Sequence, residues 1–158
     1  MVFLKKILVT TDLSDFSMAA LEYATSLGTL FTSRLYLLHV VDAREGFHGK
    51  EGHPKNEEEA HRSLEDFVHA HVPAETRITL VVRKGEAAEE ISRFAEQEGI
   101  DLIVIATHGR TGLRHMLLGS VAERIVRSSG IPVLTVKPHP FRENILQNED
   151  VEKELHLR

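Results

Sequence analysis

Residues 101–136 read DLIVIATHGRTGLRHMLLGSVAERIVRSSGIPVLTV, and the succession of patterns within them decides the fold. Asp101 to Thr107 (DLIVIAT) is an almost unbroken β-branched and aliphatic run, the composition of a strand buried on both faces. His108 to Leu118 follows as a loop bearing Gly109 and Gly112. Gly119 and Ser120 then open a helix whose Val121, Ile125 and Val126 carry its apolar positions and which ends near Ser129, and Pro132 to Val136 (PVLTV) is a second apolar strand. Two strands joined by a crossover this long pair in parallel, and such crossovers are right-handed.

Working outward, the same alternation recurs. Residues 6–11 (KILVTT) form a strand that stops at Asp12, and a 3.6-residue period then places Phe16, Ala19, Ala20, Tyr23, Ala24 and Leu27 on one helix face. Ser14 is the expected N-cap of that helix and Gly28 its expected C-terminal cap. Residues 34–41 (RLYLLHVV) make a nearly continuous apolar strand. Asn56 opens a helix running to about His71, with Leu64, Phe67, Val68 and His71 inward and Glu57, Glu58 and Glu59 in the first turn, where the helix dipole favours acids. Residues 78–82 (ITLVV) are a further strand, and residues 85–98 a helix with Ala88, Ile91, Phe94 and Ala95 inward. Five strands separated by four mostly helical crossovers predict an α/β fold, an open five-stranded parallel sheet with helices on both faces. Ligands on such sheets bind beyond the carboxyl ends of the strands. Here those ends are Asp12, Val41, residues 83–85 and residues 107–109.

The chain has 158 residues, enough for one domain able to bury about 68–70% of its surface. We expect that domain to span residues 1–138, with a loop or lid at 42–55 and a charged tail at 139–158 that is either an amphipathic helix docked on the domain or a partner, or a frayed terminus. Cysteine is absent, which excludes disulfides, thiolate metal sites and cysteine nucleophiles. A net charge of −5 argues against reliance on nucleic-acid phosphates, and no run is long and apolar enough for a membrane span, so a cytoplasmic protein with neither partner is expected. Among ten histidines, His69 and His71 stand two apart on a helix and cannot face one another, and His48 and His53 match no ligand spacing, so no metal site is expected. His39, in a buried strand, reads as a core histidine satisfied by hydrogen bonds.

The segment from Ala106 to Ser120 carries the chemistry. Its glycines allow close backbone approach, and the helix that follows brings about half a positive charge to its N-terminus, which makes a phosphate cradle built mainly of backbone. Neither GxxxxGK[ST] nor GxGxxG occurs. The alternative is that these glycines only shape a long connection. Arg110, Arg114 and His115 are candidates to neutralise phosphate against the default of solvated loop charges, and Ser120 reads equally as the N-cap of the helix.

This pattern resembles the universal stress protein family, whose nucleotide-binding members carry Gly, two residues, Gly, nine residues, then Gly followed by Ser or Thr. Gly109, Gly119 and Ser120 match, while Ala106 stands at the first glycine. The opening KILVTTDLSDFSMAALEYA, the strand end HVVDAR, the segment GEAAEEI and the run HGRTGLRHMLLGSVAERIVRSSGIPVLTVK extend the likeness over residues 3–137. The resemblance implies an adenine nucleotide alpha hydrolase-like sheet of order 3-2-1-4-5 and binding of ATP with Mg²⁺. It implies that Asp12 hydrogen-bonds the ribose hydroxyls, that Thr10 and the Val40 backbone flank the adenine, and that Gly109, Gly119, Ser120 and Val121 hold phosphates. His108, beside the cradle, is the one histidine placed for proton transfer, and Ala106 puts an extra methyl where the backbone would approach the ligand. The resemblance also implies a homodimer paired through the last strand, Pro132 to Val136. A stress-response or signalling module that binds ATP, with at most slow hydrolysis and no evident catalytic base, is the leading expectation. A homodimeric interaction protein without nucleotide is the alternative, and a slow phosphohydrolase using His108 is a third.

Overall fold

The structure is a computed structural model that describes residues 3–42, 54, 56–108 and 118–138. The expected lid at 42–55, apart from Asp42 and Pro54, and the expected tail at 139–158 lie outside the described residues, as do Gly109, Arg110, Gly112, Arg114 and His115. Five strands alternate with four helices: β1 Lys6–Thr10, α1 Met18–Phe31, β2 Arg34–Asp42, α2 Glu57–His71, β3 Ile78–Gly85, α3 Ala87–Glu98, β4 Leu102–Ala106, α4 Ser120–Ser128 and β5 Val133–Val136. A single 3₁₀ turn, Asp15–Ser17, leads into α1. All neighbouring strands are parallel and their order is β3-β2-β1-β4-β5, as the resemblance implied.

The central strands explain the two-layer packing. In β1, Ile7 and Val9 point to one face and Leu8 to the other, and all three are fully buried. Ile7 and Val9 join Leu35, Leu37, Ala20, Ala24, Leu64 and Phe67 under α1 and α2. Leu8 joins Tyr36, Leu38, Ile91, Phe94, Ile103, Ala122 and Ile125 under α3 and α4. Alternation along a strand therefore supplies two cores, which is why β1, β2 and β4 read as continuous apolar runs rather than alternating ones. Tyr36 and Phe94 meet edge to face at 5.7 Å between centroids.

Local signals fix most element ends. The Asn56 side chain accepts the Glu59 N–H at 2.8 Å, the expected cap of α2. At α3 the capping group is a carboxylate: Glu86 accepts the Glu89 N–H at 3.0 Å, so the helix starts two residues later than the sequence suggested. Gly28 is a correction. It does not end α1, which runs on to Phe31 and closes on Thr32 in the left-handed region at φ 54°. A Cβ at Gly28 would lie 2.7 Å from Leu35 Cδ2, so this glycine permits close contact between α1 and β2. Ser14 is a second correction, because its side chain makes no cap bond to the helix and turns instead to Asp12.

Candidate functional site

The strand order reverses between β1 and β4, since β1 continues to β2 on one side while β4 continues to β5 on the other. The crevice beyond those two carboxyl ends is where an open α/β sheet receives a ligand. Thr10, Asp12, Ala106 and His108 all come from these two ends, and Gly119 to Val121 start the helix that rises beside them. Thr10 aligns with Leu38, so β2 extends beyond the end of β1 and carries Val40 past it.

Asp12 is held before any ligand arrives. Its Oδ1 accepts the Ser14 N–H at 3.1 Å and the Ser14 hydroxyl at 2.5 Å. A carboxylate offers about four lone-pair positions, and both Ser14 contacts fall on Oδ1. Thr10 is buried, and Val40 packs on the cluster under α3 and α4. Ala106, aligned with Val136 of β5, packs on the cluster under α1, which gives its methyl a place in the core.

Thr107 ties the end of β4 to β5 and to the start of α4. Its N–H reaches the Val136 carbonyl at 2.9 Å, and its own carbonyl accepts the Gly119 N–H at 2.6 Å. A Cβ on Gly119 would stand 3.1 Å from that carbonyl oxygen, so the glycine is what lets the start of α4 sit against the end of β4. Gly119 is the N-cap of α4 and Ser120 its first residue, which corrects the reading of Ser120 as cap. Because Gly119 gives its N–H to Thr107, the groups that α4 offers to an anion in this conformation are those of its first turn, beginning with Ser120 and Val121. Glu123 N–H closes the first helical bond on the Gly119 carbonyl at 2.8 Å. His108 is buried, with Nδ1 2.8 Å from Thr107 Oγ1. Gly109 falls outside the described residues.

Thr11, Ser17 and Arg124, near the site, went unread in the sequence. Thr11 and Ser17 are buried and share a 2.6 Å hydroxyl contact. His39 is indeed a hydrogen-bonded core histidine, but its partner is the Thr11 carbonyl at the site, 2.9 Å from Nδ1. Arg124 of α4 reaches Glu86 Oε2 at 2.9 Å and Glu89 Oε1 at 3.7 Å, bracing α4 against the start of α3. The signal for the first two was present in TTDLSDFS, where hydroxyl residues cluster at a strand end.

Together, a parallel sheet of order 3-2-1-4-5, an acid fixed at the end of β1 and a glycine-started helix beside β4 define a doubly wound α/β domain whose strand order reverses between β1 and β4. The model of the universal stress protein family matches residues 4–137, and the chain belongs to that family. It is 35% identical over 156 residues to universal stress protein MJ0577 of Methanocaldococcus jannaschii, covering 86% of this chain and 96% of that one. It is 30% identical over 145 residues to universal stress protein YxiE of Bacillus subtilis, covering 84% and 98%. The solved structure of MJ0577 superposes with a TM-score of 0.72, 37% identity and coverage of 86% and 97%. Two more distant folds also match: a universal stress protein in complex with cAMP (TM-score 0.63, 22% identity, coverage 86% and 98%) and one from Archaeoglobus fulgidus in complex with dAMP (TM-score 0.61, 22% identity, coverage 87% and 100%).

Proposed function

We propose that this chain is a stress-response or signalling module that binds ATP, carried with Mg²⁺, in the crevice between β1 and β4. The observation that carries the reading is the pairing of two fixed elements across the switch point: Asp12, oriented by Ser14, and the glycine-started first turn of α4. In this reading Asp12 accepts from the ribose hydroxyls, Thr10 and the Val40 backbone flank the adenine, and the Ser120 and Val121 N–H groups with the Ser120 hydroxyl meet phosphates. Gly109 and Gly119 let the backbone approach, and Ala106 and His108 line the floor. Two relatives of the same fold, solved with cAMP and with dAMP, support an adenine nucleotide as the ligand class. In this reading the site holds phosphates rather than activating water, so hydrolysis is at most slow.

The test is calorimetric titration of the protein, stripped of any co-purified nucleotide, with ATP, ADP and AMP. Saturable ATP binding is expected. Asp12→Ala should weaken ATP by about 10- to 100-fold, the worth of a hydrogen bond to a charged group, while pyrophosphate affinity changes little. Equal loss for both ligands would overturn the ribose assignment.

A second reading is a homodimeric interaction protein that does not use nucleotide. It is favoured by β5, the four-residue strand at one edge of the described sheet, with Val133 and Leu134 half-buried, since an edge strand invites pairing with another copy. Sedimentation as a dimer with no heat of ATP binding would make this the better account.

A further inference from the structure

Between the end of β1 and the start of α1 the backbone is held by a chain of side-chain hydroxyls. Ser17 Oγ donates to the Ser14 carbonyl at 2.8 Å. A hydroxyl has one proton, so the 2.6 Å contact between Thr11 Oγ1 and Ser17 Oγ is donated by Thr11. Thr11 Oγ1 in turn accepts the Leu13 N–H at 2.9 Å. Leu13 lies in the left-handed region at φ 63°, a conformation that branched or bulky residues adopt at a cost. Thr11 itself is anchored on both sides to β2: its N–H reaches the Leu38 carbonyl at 3.0 Å, and its carbonyl accepts the Nδ1–H of buried His39. Asp12 sits between the anchored Thr11 and the strained Leu13, with its carboxylate clasped by Ser14.

We infer that Thr11, with Ser17 and His39 behind it, is a positioning residue that sets the direction of the Asp12 carboxylate and thereby the recognition of a ribose. This rests on the ribose reading of Asp12. Without the Thr11 hydroxyl, Leu13 loses the acceptor that keeps its N–H satisfied at positive φ, and the turn relaxes to an ordinary conformation. Asp12 and Ser14 then move with it, while the start of α4, across the crevice and tied to Thr107, stays in place. The effect falls on the sugar and spares the phosphates.

The experiment compares ATP with 2′,3′-dideoxy-ATP by calorimetry on the full chain, using the ratio of the two affinities as the reading. Thr11→Val keeps the shape and deletes the hydroxyl; Thr11→Ser keeps the hydroxyl and deletes the methyl. The inference expects Thr11→Val to narrow the ratio by about tenfold with pyrophosphate affinity unchanged, and Thr11→Ser to restore it. Ser17→Ala, which breaks the chain from its far end, should narrow the ratio too and serves as the reading should Thr11→Val fail to fold. A ratio that collapses in Asp12→Ala but survives in both hydroxyl-deleting variants overturns the positioning role and leaves the ribose reading standing. A ratio unchanged in Asp12→Ala overturns the ribose reading and, with it, this inference.

Discussion

At the scale of single residues, small groups decide what can touch. A methyl at Gly28 would collide with the Leu35 side chain, and one at Gly119 would press on a backbone oxygen. Gly28→Ala would gain roughly 1 kcal/mol of helix propensity but must displace buried Leu35, an overpacking cost of about 1–3 kcal/mol. A net loss of stability is the expected outcome, measured by urea unfolding, and shortening the neighbour with Leu35→Val should recover part of it. Residue roles were the least legible part of the sequence. Asp12 was readable because it ends a strand, and His39 because it interrupts an apolar run. That Gly28 faces β2, that Leu13 turns left-handed and that Ser14 serves Asp12 rather than the helix depend on partners brought close by folding, which local propensity does not encode.

At the scale of elements the sequence was far more informative, because burial on both faces writes itself as a continuous apolar run and a helix face as a 3.6-residue period. All five strands and four helices fall where those patterns place them. Besides α1, which runs past Gly28 to Phe31, the largest departure is β3, which continues through Arg83 and Lys84 to Gly85. Those polar residues look like the end of a strand in isolation, yet pairing of Val40 with Arg83 and Val41 with Lys84 draws them into the ladder. Arg83 also lies over the Phe94 ring at 5.4 Å. Two substitutions separate the contributions to an element. Asn56→Ala removes a cap from α2 and should cost about 1 kcal/mol. Ile125→Ala empties a fully buried position under α4 and should cost about 2–5 kcal/mol in the same denaturant titration. Arg124→Ala, by contrast, breaks only half-exposed ion pairs and should stay within about 1 kcal/mol.

At the scale of the whole molecule, the sheet divides the domain into two packed layers, and the switch point lies where the order of its strands reverses between β1 and β4. The position of that switch point was legible from strand count and parallel pairing, and so was the loop from His108 to Leu118 beside it, whereas the bond that closes its base was not. The single hydrogen bond from Gly119 to Thr107 has a topological meaning: it makes residues 107 and 119 the two feet of a ring, stitched shut at its base. The free energy of closing a ring grows only with the logarithm of its contour, about 0.6 kcal/mol for each doubling. Doubling that ring with an inserted glycine-serine spacer should therefore cost only about 0.6 kcal/mol in closure, measured by urea unfolding. The bond between the feet thus ties the end of β4 to the start of α4 at the base of the crevice, whatever the contour of the ring.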